Sequence, residues 1–265
     1  MSLVVREIIN SGDYNEFYKF IIGLDSISEE IVRISANFIL NPFKEKYFEI
    51  LYNEVSNKSP ENIIYIINSC IHNNNVEALE LLIKNGFDIT TLAFHINFNP
   101  FYQICCTRFH TKCEKKCEYE ILTKFFLDNG FYSYIDLFFF ISVEYKKYCV
   151  CDVLLNYGYS INYSNPNIMD IISSYIGDEQ SLRYLFNKCD LQINFSNPQI
   201  KKMILHVIKY KKYKCLQLLI NHGLNLYDIV QEINKVEKNE YLSNTLKILI
   251  DHGLDTETIC KLLHD

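Results

Sequence analysis

The sequence predicts an all-α fold built as a stack of helix pairs, with weaker copies at its ends. Three observations predict it. First, residues 74–89 (NNVEALELLIKNGFDI) place Val76, Leu79, Leu82 and Ile83 at i, i+3, i+6 and i+7, one apolar face of a short amphipathic helix. Second, the unit returns at 118–133, 147–162, 180–194, 212–226 and 245–256, each time as an apolar stripe, a polar residue and a stop. The stops are Gly86, Gly130, Gly158, Cys189, Gly223 and Gly253, spaced 44, 28, 31, 34 and 30 residues apart. Five of the eight glycines of the protein sit at this one place, where a helix end favours a left-handed residue. Third, Ser59-Pro60, Asn165-Pro166 and Asn197-Pro198 each open an apolar-periodic run, as a polar cap with proline in the first turn does. A period near ~33 residues holding two short helices marks a solenoid array.

Taken in order, residues 1–58 read as degenerate repeats or an N-terminal cap. Residues 14–22 are helical in period. Ser28 caps a helix over 28–40, with Glu29 and Glu30 in its first turn. Pro42 then opens a helix over 43–55 carrying Tyr47, Ile50 and Leu51. Residues 59–265 form the array proper, beginning with the clearest pair, 60–72 with 76–85. Phe87 and Ile89 follow at strand-like spacing. The 44-residue step implies an insertion near 97–117, in an exposed loop. Further pairs are expected at 133–145 with 148–157, 166–176 with 180–188, 198–209 with 213–222, and 227–236 with 241–252. A last amphipathic helix over 256–264 closes the end. No Ser/Gly/Pro-rich linker interrupts the run, so one continuous solenoid of about eight pairs is expected.

Residues 75–89 resemble the second helix and exit turn of an ankyrin repeat, through Val76, Glu77, Leu81, Leu82, Gly86, Asp88 and Ile89. Later copies keep L-L-x-x-G and lose most of the rest. The tetrad that opens the first helix in that family survives only as Asn-Pro or Ser-Pro, and its Ala-Ala pair is missing. The resemblance covers roughly 59–265, and 1–58 only weakly. The Asn/Ile/Lys/Tyr-rich composition is similar to that of ankyrin chains encoded by large DNA viruses such as mimivirus. It implies a non-enzymatic protein–protein interaction module, a scaffold or host-directed adaptor whose turns and first helices bind a protein partner. The turn residues Phe87, Tyr132 and Tyr159 would line that surface. No F-box-like segment follows the last repeat.

Composition bounds these expectations. The chain has 265 residues, 49% of them hydrophobic, with 20 Tyr, 18 Phe and no Trp. Alanine is confined to Ala36, Ala78 and Ala93, so larger side chains must fill the layers and wider or less regular helix spacing is expected. A net charge of −6 argues against a general nucleic-acid binder. The apolar run 135–143 contains Asp136 and falls far short of the roughly 20 residues of a membrane span. Residues 1–10 carry Glu7 and too short an apolar core for a signal peptide. Ten cysteines without such a signal point to reduced thiols and an intracellular, cytoplasmic setting, in the host cell for a viral chain.

Candidate chemistry is sparse. Cys106, His110, Cys113 and Cys117 offer three thiolates and an imidazole, a set that suits tetrahedral zinc. Their spacing follows no standard zinc motif, and the alternatives are ordinary thiols packed as small apolar residues, or a disulfide. Tyr145-Lys146-Lys147-Tyr148 and its copy Tyr210-Lys211-Lys212-Tyr213 combine charge and stacking groups suited to RNA. Solvated turns between helices are the stronger explanation of them, and the acidic whole supports it. The alternative function is therefore a nucleic-acid-contacting or zinc-stabilised binding protein. His222 and His252 precede glycines at helix C-termini, where they read as caps, and His206 reads as a packed side chain. No phosphate loop, H-E-x-x-H or G-x-S-x-G is present, so no enzyme and no cofactor are expected.

Overall fold

A computed structural model describes residues 2–94, 100–106, 118–163, 165, 167–227, 229, 241–257 and 260. Among them the protein is all-helical, without strands, apart from one isolated bridge between Leu40 and Phe43. Phe87 and Ile89 therefore do not open a strand; Ile89–Phe94 is a 3₁₀ turn.

The chain divides into two compact units, Met1–Tyr159 and Ser160–Asp265. The first holds α1 (Ser2–Ser11), α2 (Tyr14–Ile22), α3 (Glu29–Leu40), α4 (Glu45–Lys58), α5 (Ile63–His72), α6 (Val76–Lys84), α7 (Pro100–Cys106), α8 (Glu118–Asp128), α9 (Ile135–Glu144) and α10 (Tyr148–Asn156). Odd-numbered helices pack on odd, α1 on α3, α3 on α5, α5 on α7 and α7 on α9, and even on even from α2 to α10. Each odd helix also packs on the even helix that follows it. The second unit holds α11 (Ile168–Tyr175), α12 (Glu179–Cys189), α13 (Pro198–Lys209), α14 (Tyr213–Asn221) and α15 (Tyr241–Asp251). There α11 packs on α13, α12 on α14, and α14 on α15. The helices expected over 227–236 and 256–264 lie largely outside the described residues.

From α6 onward the second helices other than α12 end in one recurring structure, whereas α2 and α4 end at Gly23 (φ −71°) and Ser59 (φ −151°). At Gly86 (φ +89°) the Gly86 N–H donates to the Ile83 carbonyl and the Phe87 N–H to the Leu82 carbonyl. This is a Schellman turn, which satisfies carbonyls the helix leaves bare. The same two bonds recur at Gly130, Gly158, Gly223 and Gly253. Counting back from each glycine, the residues eight, seven, five and four before it are buried, for example Ala78, Leu79, Leu81 and Leu82, or Cys215, Leu216, Leu218 and Leu219, with Leu246 of the last copy half-buried. In α12 the buried face keeps the frame counted to Cys189, but the helix runs through Cys189 and the left-handed residue is Asp190 (φ +47°). The stop expected at Cys189 is thus one residue late. A cysteine Cβ is strained in the left-handed region, which aspartate tolerates better. Small side chains stand eight before the stop in most copies: Ala78, Val150, Ser181, Cys215 and Thr245. Larger side chains are expected from the sequence to fill the layers in place of alanine; at this position the side chains are instead mostly small.

The turn inside a pair repeats too. Asn74, Lys146 and Lys211 are left-handed at φ +48°, +57° and +56°. In each case the next N–H, from Asn75, Lys147 or Lys212, reaches back to Cys70, Ser142 or Val207. That next residue is also the N-cap of the following helix. Asn75 fills the role with its side chain, accepting from the Ala78 N–H at 2.8 Å.

Side chains tie several pairs to the one before at a nearly constant sequence distance. Lys44 Nζ donates to the Ile9 carbonyl, Asn62 Nδ2 to Ile27, Asn75 Nδ2 to Leu40 and Lys212 Nζ to Gly177, every one across 35 residues. Lys58 Nζ spans 36 and 34 residues to the carbonyls of Ile22 and Leu24, both at 2.8 Å. The period read from glycines is therefore also written in hydrogen bonds, from the first helix pair onward.

Three elements differ from expectation. Pro42 does not open a helix; it follows a cis peptide bond after Asn41, and α4 starts at Glu45. Ser2–Ser11 is a helix burying Val5, Ile8 and Ile9. Residues 100–106, assigned to an exposed insertion, form α7, the partner of α8. Its Phe101 is fully buried, stacked on Phe138 at 3.9 Å and meeting Phe126 and Phe131 edge-on. The apolar run over 135–143 is accounted for here, because α9 buries Phe138, Phe139 and Phe140 on several sides.

The left-handed positions give opposite responses to substitution. At Gly158 nothing lies within 4 Å of an added Cβ, so Gly158→Ala carries only the backbone penalty and is expected to lower stability by about 1 kcal/mol. Lys211→Gly relieves the same strain and is expected to raise it by roughly 0.5 kcal/mol after the unfolded-state entropy of glycine is counted. Denaturant midpoints of the two variants check the signs.

Candidate functional site

The expected metal cluster falls where little is described. His110, Cys113 and Cys117 lie outside the described residues, and of Cys106 only the backbone, closing α7, lies within them. Among the described residues no group of three or more His, Cys, Asp or Glu side chains is placed to hold a metal ion.

The two Tyr-Lys turns are the left-handed turns described above, one in each unit. Their outer tyrosines, Tyr145 and Tyr210, are exposed. Several of their cations are engaged locally. Lys147 lies 4.3 Å over the Tyr119 ring, and Lys212 binds the Gly177 carbonyl at 2.9 Å. Lys214, just beyond, pairs with Glu179 at 3.6 Å. Tyr210 packs on His206, with ring centroids 4.2 Å apart. His222 stacks flat on Phe186 at 3.7 Å. His252 Nδ1 lies 2.8 Å from the Ile248 carbonyl, the same cap that Asn85 and Asn129 make to Leu81 and Phe125.

The residues after each glycine separate into two kinds. The first, Phe87, Phe131, Tyr159, Leu224 or Leu254, folds back as the apolar plug of the turn. Phe131, Leu224 and Leu254 are buried, and Phe87 is half-buried. The Tyr159 ring lies on Phe139, and its hydroxyl donates to Asp136 at 2.9 Å. Of the three residues expected to face a partner, Tyr132 alone is exposed, at 55%; Tyr134 and Leu137 beside it are exposed as well. After Gly86 the polar Asp88 organises the turn. Its carboxylate accepts the Thr90 N–H and hydroxyl at 2.9 and 2.7 Å, which holds its pKa below the ordinary value.

A feature that periodicity did not signal lies between α6 and α8. Val76, Glu80 and Ile83 of α6 and Ile121, Lys124, Phe125, Asp128 and Asn129 of α8 line an open groove of about 470 Å³. Ile121 is half exposed in it. Lys124 is held by Glu120 at 2.8 Å, whereas Asp128 accepts the Tyr157 hydroxyl. That carboxylate pushes the Tyr157 pKa from its ordinary 10.0 up to about 12, with burial and the negative charge adding smaller shifts. A neighbouring cleft of about 270 Å³ between α4 and α6 is lined by Phe43, Glu45, Glu77, Glu80, Leu81 and Lys84, so Glu80 stands between the two.

Because the folded-state pKa of Tyr157 is raised, the stability it contributes is complete below pH 10 and lost as pH climbs through about 12. In Asp128→Asn, ultraviolet titration is expected to show one tyrosine moving down from the high-pH end into the main group. An unchanged titration would mean the pair does not form in solution.

Among the described residues no helix is long and apolar enough to cross a membrane. Comparison of the chain with protein-family models, curated proteins and solved structures finds no match.

Proposed function

We propose that the protein is a non-enzymatic protein–protein interaction module, an ankyrin-like array of helix pairs acting as a scaffold or adaptor. The observation that carries this reading is the recurrence of one local structure, the left-handed stop with its two backbone bonds, at Gly86, Gly130, Gly158, Gly223 and Gly253. Within each unit, helix pairs repeated in this way present loops at regular intervals on a packed frame. A partner meeting that frame loses little ordering entropy. Tyr132 and Tyr134 offer exposed aromatic contacts of the sort enriched where proteins meet. The sequence resemblance to ankyrin chains of large DNA viruses makes a host protein the proposed partner, in the host-cell cytoplasm.

The test is affinity capture from host cells with the wild type and with a Tyr132→Ser/Tyr134→Ser double variant. Both rings are exposed, so the fold is expected to survive and a specific partner to be lost or reduced at least tenfold. Recovery of the same proteins with both forms sinks the assignment of this surface.

One observation favours a second reading, contact with nucleic acid. The acidic excess is unevenly distributed: between Lys201 and Lys214 stand six lysines, and no Asp or Glu occurs from Leu191 to Tyr227. Exposed Tyr210 lies among them. On this reading a single-stranded RNA oligomer binds in low salt and is released steeply as salt rises, with Lys209→Glu/Lys211→Glu abolishing the effect. Absence of binding at low ionic strength removes it.

A further inference from the structure

The groove between α6 and α8 breaks the pattern of the fold around it. Elsewhere the position nine residues before the stop on a second helix carries Glu77, Cys149, Lys214 or Asn244. On α8 it carries Ile121, half exposed, directly above the buried Phe125 one turn on. Across from them α6 turns Val76 and Ile83 into the same space, at i and i+7 with Glu80 between. Two helices thus face each other across half-buried Val76 and Ile83 and half-exposed Ile121, with buried Phe125 below. At this junction successive stops lie 44 residues apart rather than 28 to 34, and α6 meets α8 over a narrower contact than α10 does.

The electrostatics of the groove select its occupant. Its cation, Lys124, is neutralised by Glu120, which leaves the Glu80 and Asp128 carboxylates on opposite walls. Glu77 and Glu45 stand in the adjoining cleft, opposed there by Lys84. The carbonyl ends of α6 and α8, the negative ends of their dipoles, close the same side of the groove as Ile83 and Asp128. A volume of about 470 Å³ falls within the roughly 300–1,000 Å³ of ligand-sized clefts. We propose that the α6–α8 groove is a docking site for a cationic amphipathic helix of a partner protein, whose apolar residues at i, i+3/i+4 and i+7 enter between Val76, Ile83, Ile121 and Phe125 while flanking Lys or Arg side chains meet Glu80 and Asp128. Helix-in-groove recognition uses this spacing of anchors, and carboxylate walls favour arginine in particular. The inference rests on the interaction-module reading only in that the partner is a protein; its surface is separate from the Tyr132 and Tyr134 one.

The experiment uses the full chain and a phage-displayed library of random 16-residue peptides. Enriched peptides are synthesised and their Kd values measured by fluorescence anisotropy against wild type, Ile121→Arg, Glu80→Lys and Tyr132→Ser/Tyr134→Ser. The expected result is enrichment of basic sequences with apolar residues at helical spacing. Affinity falls at least tenfold in Ile121→Arg and in Glu80→Lys, while circular dichroism stays that of the wild type. The tyrosine double variant binds as wild type does. Enrichment of acidic or non-periodic peptides, no enrichment at all, or equal affinity for Ile121→Arg and wild type overturns the proposal. Those outcomes leave the cell-capture result untouched. Conversely, groove binding with no partner lost in the tyrosine variant rejects the first surface and retains this one.

Discussion

Everything regular in this protein depends on how a helix is made to stop. A helix end leaves carbonyls unpaired, and burying them bare costs about 1–3 kcal/mol each. The solution adopted at five of the second helices is one left-handed glycine and two reversed backbone bonds, which turn the chain and place the next residue as an apolar plug over the helix just finished. At the end of α12 the left-handed residue is Asp190, a side chain the region tolerates. Where glycine is the stop, the positions four, five, seven and eight residues upstream turn inward together, so those second helices share one frame; in α12 the frame and the stop are offset by one residue.

The turn inside a pair follows the same physics with a less suitable set of residues. Asn74 is a favoured occupant of a left-handed position; Lys146 and Lys211 are not. The backbone bonds to Cys70, Ser142 and Val207 hold all three alike, so the local geometry is imposed by packing of the two helices rather than by the turn residue. Where the turn residue has capacity to spare, it serves the neighbouring pair. Asn75 caps α6 with its oxygen and binds the Leu40 carbonyl with its nitrogen, linking two pairs through one side chain.

Much of this was legible in the sequence, for a reason that also explains what was not. Helix stops are set by local chemistry, so Gly86, Gly130, Gly158, Gly223 and Gly253 marked their places without ambiguity. Asn197-Pro198 likewise marked the start of α13, where Asn197 accepts the N–H groups of Gln199 and Ile200. The same punctuation, Asn99-Pro100, precedes α7, but the long spacing between stops there points to a loop. Val5, Ile8 and Ile9 spell one face of α1 but were weighed only against a secretion signal. Pro42 misled because a proline after a polar residue suits either a helix start or a turn. The site was harder to read. Phe87 and Tyr159 look like surface aromatics in sequence, yet each fills the plug position, a role that becomes visible only when the stop is seen as a three-dimensional turn.

The α6–α8 groove shows why interaction surfaces escape periodicity. A helical stripe tells which residues could be buried, and Ile121 and Phe125 lie one turn apart on such a stripe. What covers them is a property of the neighbouring pair. Next to α8, α10 is close enough to cover the opposite face, and Val150, Val153 and Leu154 are buried in the usual frame. On the α6 side the contact is narrower, and Ile121 is left in the open. The same sequence pattern therefore yields core at one junction and surface at the next. The deciding quantity is how closely the neighbouring second helix approaches. Apolar residues stranded in this way would ordinarily be a liability. Here they are walled by Glu80 and Asp128, charges that keep the groove wetted and unattractive to acidic or neutral surfaces while leaving it open to a basic one.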